Sequence, residues 1–582
     1  MNILGKPIFL ILLAALVLRL WGIGYGFPFF LVNDEPALVL GALKMLELRT
    51  LVPAWHEGEF RKVLNYPPLT SYFYLVTLAP VLAVHYALSG FPPLMEYMDA
   101  FTLDPSFLWI AARVINAILG VAVVYITYRL ARTVTGSERG ALLAAMFLAV
   151  SFYEVQLSQV VRHWMPASLL LVLAWLAAEG VRAKGERRFY LIAGLMTGLG
   201  MGVNTSSAIG LLPALWYHFG ARGRSMAAKM RSLRLWQMIA LAVILGAIFI
   251  LLYPYGFTRG EGASSVGSDI GRRFSSLASR FMAIPEWANF LFGYAKLLLW
   301  YEATLVAGAL IGAWALLRRN ASFVLLAIVF CLVYLSLLYF FFNAIPRALI
   351  FILPPLAVLA GYGVDELVAT FENRLRPTRL AALAIFGLPF LIFFAYPLVI
   401  DLRYDYLLSQ SDTRLVAKRW IESNIPPGTK VLADLPYLRL INTKEGIREL
   451  AAIDPTALRA QDRVLLRRDE ASYPKPAYHL LNLHFVAPEA PERRLSLGDV
   501  QQRGFRYLMV EYEYMNGADL DPHLSPLIEA ARLVNRFMPF RVGGGLERAL
   551  DISGEIATIH PMELFSLERF GQIVEIYAIP ER

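Results

Sequence analysis

The stretch Trp236-Gln-Met-Ile-Ala-Leu-Ala-Val-Ile-Leu-Gly-Ala-Ile-Phe-Ile-Leu-Leu-Tyr-Pro-Tyr255 runs for twenty residues without a charged side chain. An α-helix needs about twenty apolar residues to cross the hydrocarbon core of a bilayer. The segment before it carries a dense basic cluster, formed by Arg222, Arg224, Lys229, Arg231 and Arg234. Because cytoplasmic loops are enriched in Lys and Arg, this boundary predicts a transmembrane helix that starts at the cytoplasmic face.

The composition extends this interpretation to most of the chain. Of its 582 residues, 57% are hydrophobic and only 17% are charged, whereas a soluble protein carries about a quarter charged residues. The apolar residues come in blocks rather than in the alternating segments of a β-barrel, which favours a helical membrane bundle. The net charge of +9 lies in short loops between the apolar blocks, so it does not indicate a nucleic-acid partner.

About eleven transmembrane helices are predicted from the apolar blocks. They fall near 7–25, 110–130, 140–157, 165–182, 189–203, 206–220, 236–255, 301–317, 322–342, 347–363 and 380–400. The first block has no small-residue cleavage site, so it is interpreted as a helix and not as a signal peptide. An odd number of spans, with the basic loops inside, places the N-terminus in the cytoplasm and the tail outside a cell membrane.

Three regions are then extracytoplasmic, namely the loop 26–109, the loop 257–300 and the tail 401–582. The apolar segment 69–88 is predicted to lie in the membrane interface, because a span there would reverse every later basic loop. The tail has the composition of a small α/β domain, with an amphipathic helix at 415–421, a turn at 425–429, and strands that begin at Lys430, at Tyr507 and near Val574. We therefore expect a transmembrane domain over 1–400 and an extracytoplasmic α/β domain over 401–582.

Adjacent carboxylates, Asp34 and Glu35, follow the first apolar block closely. Carboxylates at a membrane surface are costly to desolvate, so they usually have a partner or a function. One of them acting as a general base for an acceptor hydroxyl is the functional interpretation. The structural alternative is a cap for the helix that begins at Pro36.

Basic side chains occur at the predicted outer ends of separate helices, against the trend of the cytoplasmic loops. They are Arg113, Arg162 with His163, and Arg347. Guanidinium groups pair bidentately with phosphate oxygens, so their convergence would suit a lipid-linked phosphate. For any single arginine, extension toward lipid headgroups is the simpler explanation. The single cysteine, Cys331, builds neither a disulfide nor a thiolate metal site.

Several short motifs share their order and spacing with a known family. They are Asp34-Glu35-Pro36, Tyr66-Pro-Pro-Leu69, Ala112-Arg-Val-Ile-Asn-Ala-Ile-Leu-Gly120, Tyr128-Arg-Leu-Ala-Arg132, Gly136-Ser-Glu-Arg-Gly-Ala-Leu-Leu-Ala144, Ser158-Gln-Val-Val-Arg-His163 and Pro346-Arg-Ala-Leu-Ile-Phe-Ile-Leu-Pro-Pro-Leu-Ala-Val-Leu-Ala-Gly361. Over roughly residues 5–400 the chain resembles the membrane glycosyltransferases of family 39, which have the GT-C fold. That family includes protein O-mannosyltransferases and aminoarabinose transferases.

The resemblance implies a donor and a set of site residues. The donor would be a polyprenyl-phosphate sugar, and the acceptor a hydroxyl on a glycan, lipid or protein at the outer face. Asp34 would be the catalytic base beside Glu35, and the candidate substrate contacts are Tyr66, Arg113, Arg162, His163 and Arg347. No cofactor is implied, and no ligand cluster supports a divalent cation at Asp34 and Glu35.

The sequence departs from the family at two places, and other functions stay open. Trp164 and Met165 stand where many members have an aspartate, and Asn204-Thr205-Ser206 stands where many have a lysine. The Trp-Trp-Asp-Tyr-Gly signature of oligosaccharyltransferases is absent, which argues against transfer of a whole glycan. The alternatives are a lipid or glycan transporter or flippase, whose charges usually lie near mid-membrane, and a non-catalytic scaffold.

Overall fold

The computed structural model describes residues 7–28, 32, 35–60, 63–64, 66–223, 225–253, 284–341, 346–375, 379–541, 546–550 and 560–581. The chain forms two compact units. The first consists of residues 1–23, 34–81 and 111–403, and the second of residues 24–33, 82–110 and 404–582. Both units are discontinuous in sequence, because parts of the long first loop group with the tail.

Helices account for most of the chain before residue 410. In chain order they are α1 (Pro7–Leu20), α2 (Glu35–Glu47), α3 (Glu57–Phe60), α4 (Leu69–Leu88), α5 (Leu94–Leu103), α6 (Ser106–Thr135), α7 (Glu138–Ala149), α8 (Phe152–Ser158), α9 (Trp164–Lys184), α10 (Arg187–Val203), α11 (Leu211–Gly220), α12 (Met226–Met230), α13 (Leu233–Leu252), α14 (Ile284–Phe341), α15 (Leu353–Leu375) and α16 (Arg379–Ser409). Short 3₁₀ segments precede α3, α11 and α15.

The long element α14 is a helical hairpin. Its backbone leaves the helical region at Glu302 and at Asn320. The indole of Trp287 donates to the Ser336 hydroxyl at 3.3 Å, and the ring of Phe290 contacts that of Tyr339. Contacts between the two ends of the element require the chain to reverse near Asn320. The hairpin therefore contains two of the predicted spans, 301–317 and 322–342.

The predicted span 140–157 is a broken helix. Helices α7 and α8 form an apolar pair that bends by 59° at the short break between them. The hydroxyl of Ser151, at the N-terminus of α8, donates to the Glu302 carboxylate at 2.7 Å. A break leaves backbone groups without helical partners, so polar side chains are expected to gather there.

The predicted count of eleven spans is not reproduced. By length and composition, the described residues contain six helices able to cross a membrane, or seven if the bent pair α7–α8 is one span. Helix α4 is one of the six. Its length and composition therefore also suit a transmembrane position, in contrast to the interfacial position predicted for it. Several predicted spans are short or interrupted in the structure, since 189–203 is a helix of 17 residues and 206–220 is a 3₁₀ segment followed by α11. Sequence hydropathy does not show such interruptions.

Helices α10 and α13 approach closely along a glycine seam. Gly194, Gly198 and Gly202 recur every four residues on α10, and a Cβ on Gly194 would lie 2.4 Å from the carbonyl oxygen of Met238. Small residues at this spacing let two helix backbones pack together in a membrane, where apolar burial contributes little to association. The seam fixes these two helices against each other.

The second unit contains a six-stranded mixed sheet. Its strands are β1 (Lys430–Asp434), β2 (Ile441–Asn442), β3 (Ala477–Asn482), β4 (Tyr507–Tyr512), β5 (Arg532–Phe537) and β6 (Ile573–Ala578). The order is β2-β3-β1-β4-β6-β5, in which the first four strands are parallel and β6 is antiparallel to both β4 and β5. The helices beside the sheet are α17 (Thr413–Asn424), α18 (Lys444–Ile453), α19 (Ala460–Arg467), α20 (Leu497–Gln502) and α21 (Ser525–Ala530).

The core of this unit explains why the tail elements were predictable. Ala417 and Ile421 of α17 pack with Val431 of β1 and Val574 of β6, all fully buried. These residues follow the helical period in α17 and occupy continuous apolar runs in the strands, which is the pattern of a covered sheet. The predicted helix at 415–421, the turn at 425–429 and the strands at 430, 507 and 574 are confirmed.

Candidate active site

Glu35 is the first residue of α2 and is completely buried. Its Oε1 accepts hydrogen bonds from Arg113 Nε and from the Val161 backbone N–H, each at 2.8 Å. Its Oε2 accepts from an Arg113 terminal nitrogen at 2.7 Å. The carboxylate is thus held by a bidentate guanidinium and a backbone donor, a geometry that strengthens an ion pair away from water.

Arg113, on α6, is also buried, and it donates to the carbonyl oxygen of Ile23 at 2.8 Å. Its partners come from the end of the first helical region and from α2, and Glu35 in turn accepts from Val161 in the α8–α9 connection. The Glu35–Arg113 pair therefore links three separate segments to α6. Removing either member of such a pair leaves a buried charge, which typically costs about 3–5 kcal/mol.

The connection between α8 and α9 is held by an amide. Asn116 lies one helical turn after Arg113, and its Nδ2 donates to the carbonyl oxygens of Leu157 (2.9 Å), Ser158 (3.2 Å) and Val160 (2.6 Å). Arg113 and Asn116 therefore fix this connection from one face of α6. The sequence motif Ala112–Gly120 contained Asn116, but nothing in the sequence singled it out.

Arg162 and His163 follow directly and are buried. The His163 ring lies 4.3 Å from that of Tyr66, centroid to centroid, and 4.6 Å from that of Trp164. His163 precedes the candidate span that begins at Trp164. Burial, together with the charges of Arg347 and Arg162, lowers the pKa of His163 well below its ordinary value. The imidazole is therefore neutral at physiological pH.

The structure thus brings most of the predicted site residues together. Glu35 and Arg113 are bonded, Val161 connects them to Arg162 and His163, Tyr66 lies against His163, and Arg347 is near enough to affect its charge. Asp34, the predicted base, lies outside the described residues. So does Asn65, which precedes the Tyr66 motif.

A second polar cluster at the α7–α8 bend was missed by the sequence analysis. Arg19 of α1 pairs with Glu154 of α8, and both are buried. Arg19 also donates to the carbonyl oxygens of Ala15 at 2.9 Å and of Ala149 at 3.1 Å. Nearby, the buried Glu302 accepts from Ser151. The available signal was a charged residue inside an apolar run, which in a membrane protein usually has a partner.

Across the part of the chain that the structure describes, no three His, Cys, Asp or Glu side chains are grouped as ligands for a metal ion.

A comparison with protein families bears on this arrangement. Residues 92–250 match the family described as "Dolichyl-phosphate-mannose-protein mannosyltransferase". The predicted family resemblance is confirmed over these residues. They include Arg113, Asn116, Arg162 and His163, so four members of the buried cluster lie within the matched region.

Individual relatives are distant. An uncharacterized protein of Aquifex aeolicus is 27% identical over 187 residues, so the match spans about a third of each chain (32%). Among solved structures, ArnT from Cupriavidus metallidurans in the apo state is 13% identical with a TM-score of 0.44, over 91% of this chain and 96% of that one. The oligosaccharyltransferase AglB from Archaeoglobus fulgidus, in complex with an inhibitory peptide and a dolichol-phosphate, is 12% identical with a TM-score of 0.40, over 87% and 69%.

Proposed function

We propose that this protein transfers a sugar from a polyprenyl-phosphate carrier to an acceptor hydroxyl at the extracytoplasmic face of a cell membrane. One observation carries the proposal, namely the gathering of Arg162, His163, Arg347 and Tyr66 beside the Glu35–Arg113 pair. The family match over residues 92–250 supports it.

The donor phosphate is assigned to Arg162 and Arg347. Both guanidinium charges act on the same buried imidazole, so two groups that bind phosphate oxygens well lie near one another. His163 is neutral there and is able to donate one hydrogen bond without adding charge. Arg113 is held in a bidentate pair with Glu35. We therefore give Arg113 and Glu35 a positioning role rather than direct contact with the donor or a proton.

The base is assigned to Asp34, the residue before Glu35. Three donors hold the Glu35 carboxylate, which fixes the start of α2. Since both Glu35 oxygens already accept hydrogen bonds in the resting structure, Asp34 is the better candidate to take a proton from the acceptor.

The proposed reaction is a single displacement. The acceptor oxygen forms a bond to the anomeric carbon while the bond from that carbon to the phosphate oxygen breaks, and the phosphate leaves with the electron pair. The acceptor proton goes to the Asp34 carboxylate, and the two arginines stabilise the charge that develops on the phosphate. Attack opposite the leaving group inverts the anomeric centre.

A contact within the second unit supports placing part of the first loop on the same side of the membrane as the tail. The guanidinium of Arg467 on α19 donates to Asp99 on α5 at 2.7 Å. Part of the first loop and the tail therefore share one side of the membrane, in agreement with the prediction that both are extracytoplasmic. Cysteines introduced at exposed positions such as Asp469 should react with an impermeant reagent in intact cells, whereas one at Ser225 should not. Equal labelling of both would contradict this topology.

A transporter is the second candidate, because Arg19, Glu154 and Glu302 are charged residues buried among apolar helices. Proteoliposomes that contain a polyprenyl-phosphate hexose with a radiolabelled sugar separate the two functions. The enzyme should release the free polyprenyl phosphate in proportion to the sugar that appears on an acceptor. Movement of the intact donor between leaflets, with its glycosyl bond unbroken, would favour the transporter and contradict the proposed transfer.

A further inference from the structure

The second unit contains a cavity of about 430 Å³ that the proposed reaction does not use. Its lining comes from the end of α4, from α5, from the start of α6 and from Arg468 at the end of α19. We propose that this cavity is a saccharide-binding site, separate from the transfer centre, that holds one pyranose ring or two.

Aromatic rings form one wall of the cavity. The ring centroids of His85 and Phe107 are 4.1 Å apart, and those of Tyr97 and Phe101 are 4.9 Å apart. The imidazole Nδ1 of His85 lies 3.1 Å from the Tyr97 hydroxyl, which restricts both rings. The wall is therefore a fixed aromatic surface. Phe107 is 40% exposed despite this packing, so part of a large apolar side chain stays accessible.

Charged groups complete the lining. Two acidic residues, Glu96 and Asp104, line the cavity together with Arg468, whose Nε lies 4.0 Å from Asp99 Oδ2. The Asp104 carboxylate accepts from the backbone N–H and the hydroxyl of Ser106 through one oxygen, Oδ1, at 3.0 Å and 2.6 Å. These bonds hold the carboxylate at the N-terminus of α6. Charged acceptors and donors make the stronger hydrogen bonds to neutral hydroxyl groups.

The combination of surfaces selects the ligand class. A pyranose ring has an apolar face of C–H groups that suits the negative face of an aromatic ring, and hydroxyl groups at its edge that suit carboxylate and guanidinium partners. An acyl chain would offer no polar group to the three charged side chains of the lining. A simple cation would meet the positive charge of Arg468. The cavity volume is in the range of small-ligand sites and exceeds that of one sugar ring.

The binding site is inferred independently of the transfer reaction. Its use by the sugar portion of an acceptor is a further step that rests on the proposed function. The experiment below therefore omits any lipid-linked donor and any acceptor other than the probe, so its outcome does not depend on catalysis.

Saturation-transfer NMR on the full chain in nanodiscs of phosphatidylethanolamine and phosphatidylglycerol tests the site, since sugar-headed detergents would compete. The probes are methyl α-mannopyranoside, methyl α-glucopyranoside and methyl β-galactopyranoside, with sorbitol as an open-chain control and tetramethylammonium as a cation control. At least one pyranoside should bind, with the strongest signals on its ring C–H protons. Phe107→Ala and Phe101→Ala should weaken that binding about tenfold or more, the scale of one aromatic contact.

Three further variants make the test specific to this cavity. Phe91→Ala removes an aromatic ring that is 68% exposed and absent from the lining, and it should bind the pyranoside as the wild type does. Asp104→Asn retains an oxygen for Ser106 but loses the charge, and it should weaken binding without unfolding the protein. Asp34→Asn should bind normally. Absence of binding by every pyranoside, binding of tetramethylammonium alone, or equal losses in Phe91→Ala and Phe107→Ala would each overturn the proposal.

Discussion

Two groups of charged side chains lie close together in the first unit, and they differ in the groups that they bring together. In the pair Glu35–Arg113, a carboxylate faces a guanidinium, and both oxygens of the carboxylate accept hydrogen bonds. In the group Arg162, His163 and Arg347, two positive charges act on a neutral imidazole. A buried pair of opposite charges maintains structure, whereas two guanidinium groups near one imidazole suit the binding of a phosphate.

The largest expected effect comes from unbalancing the first group. Arg113→Ala or Glu35→Ala should each lower the free energy of unfolding by about 3–5 kcal/mol, because either leaves one buried charge alone. The double variant Glu35→Leu with Arg113→Met, which removes both charges, should be more stable than either single variant. Thermal denaturation in nanodiscs measures this.

Arg541→Ala is the matched control, because Arg541 pairs with Glu568 while remaining 86% exposed, and surface pairs contribute at most about 1 kcal/mol. The donor affinity of the folded fraction should not change in Arg113→Ala. A stable Arg113→Ala protein that no longer binds the donor would show that Arg113 contacts the phosphate instead.

The next largest effect is on catalysis. Asp34→Asn keeps the shape of the side chain and its ability to cap a helix, but it cannot accept a proton at neutral pH. It should reduce turnover about a hundredfold or more, the scale of a lost general base, with unchanged donor binding. Sugar transfer from a polyprenyl-phosphate donor, with protein amount measured in parallel, is the readout.

Asp469→Asn, at an exposed aspartate of the tail, serves as the control for Asp34→Asn. If Asp34→Asn turned over at the wild-type rate, Asp34 would not be the catalytic base, and capping the helix would be its remaining role.

Removing a guanidinium from the second group should weaken donor binding. Arg162→Ala and Arg347→Ala should each weaken binding of a polyprenyl-phosphate sugar by about 2 kcal/mol, roughly thirtyfold, the scale for losing one partner of a desolvated charge pair. Lysine should restore little, because it lacks the planar guanidinium. Isothermal titration measures the affinity, with the exposed Arg231→Ala as control. Unchanged affinity in both alanine variants would show that Arg162 and Arg347 do not bind the donor phosphate.

The smallest expected effect is a dependence of stability on pH. The pKa of His163 is lowered in the folded protein, so below the ordinary value of about 6.5 the unfolded chain binds a proton that the folded chain does not. The contribution is present above pH 6.5 and is lost as the pH falls. At pH 5.5 the loss of stability should amount to at most about 1.4 kcal/mol.

The melting temperature should therefore fall more between pH 7.5 and 5.5 in the wild type than in His163→Gln. His523→Gln, at an exposed histidine, should behave as the wild type does. An identical pH response in His163→Gln and the wild type would show that a different titrating group causes the pH dependence of stability.

The sequence predicted the membrane helices as a class and several tail elements correctly, because both depend on local patterns. Apolar runs identify membrane helices, and the period of residues 415–421 identifies α17. The break at Ser151, the hairpin at Asn320 and the glycine seam of α10 depend on packing between helices. These interactions are non-local, which is why the predicted span count and the structure differ.

The candidate site was predicted as residue types but not as partnerships. Glu35, Arg113, Arg162, His163 and Arg347 were all selected, since each is a polar residue near the end of an apolar run. That Glu35 binds Arg113 follows only from the positions of α2 and α6. Asn116 was not selected from the sequence, because an amide side chain within a helix has many ordinary structural roles.

The discontinuous second unit has a consequence for biosynthesis. Its early segments are residues 24–33 and 82–110. They leave the ribosome first, the 293 residues 111–403 follow, and the tail that completes the unit emerges last. At about 5–20 residues per second, roughly 15–60 s separate the two. During that interval Asp99 lacks Arg467 and the ring cluster around Tyr97 lacks the tail. Nascent chains should therefore expose this loop to chaperones and proteases until synthesis is nearly finished.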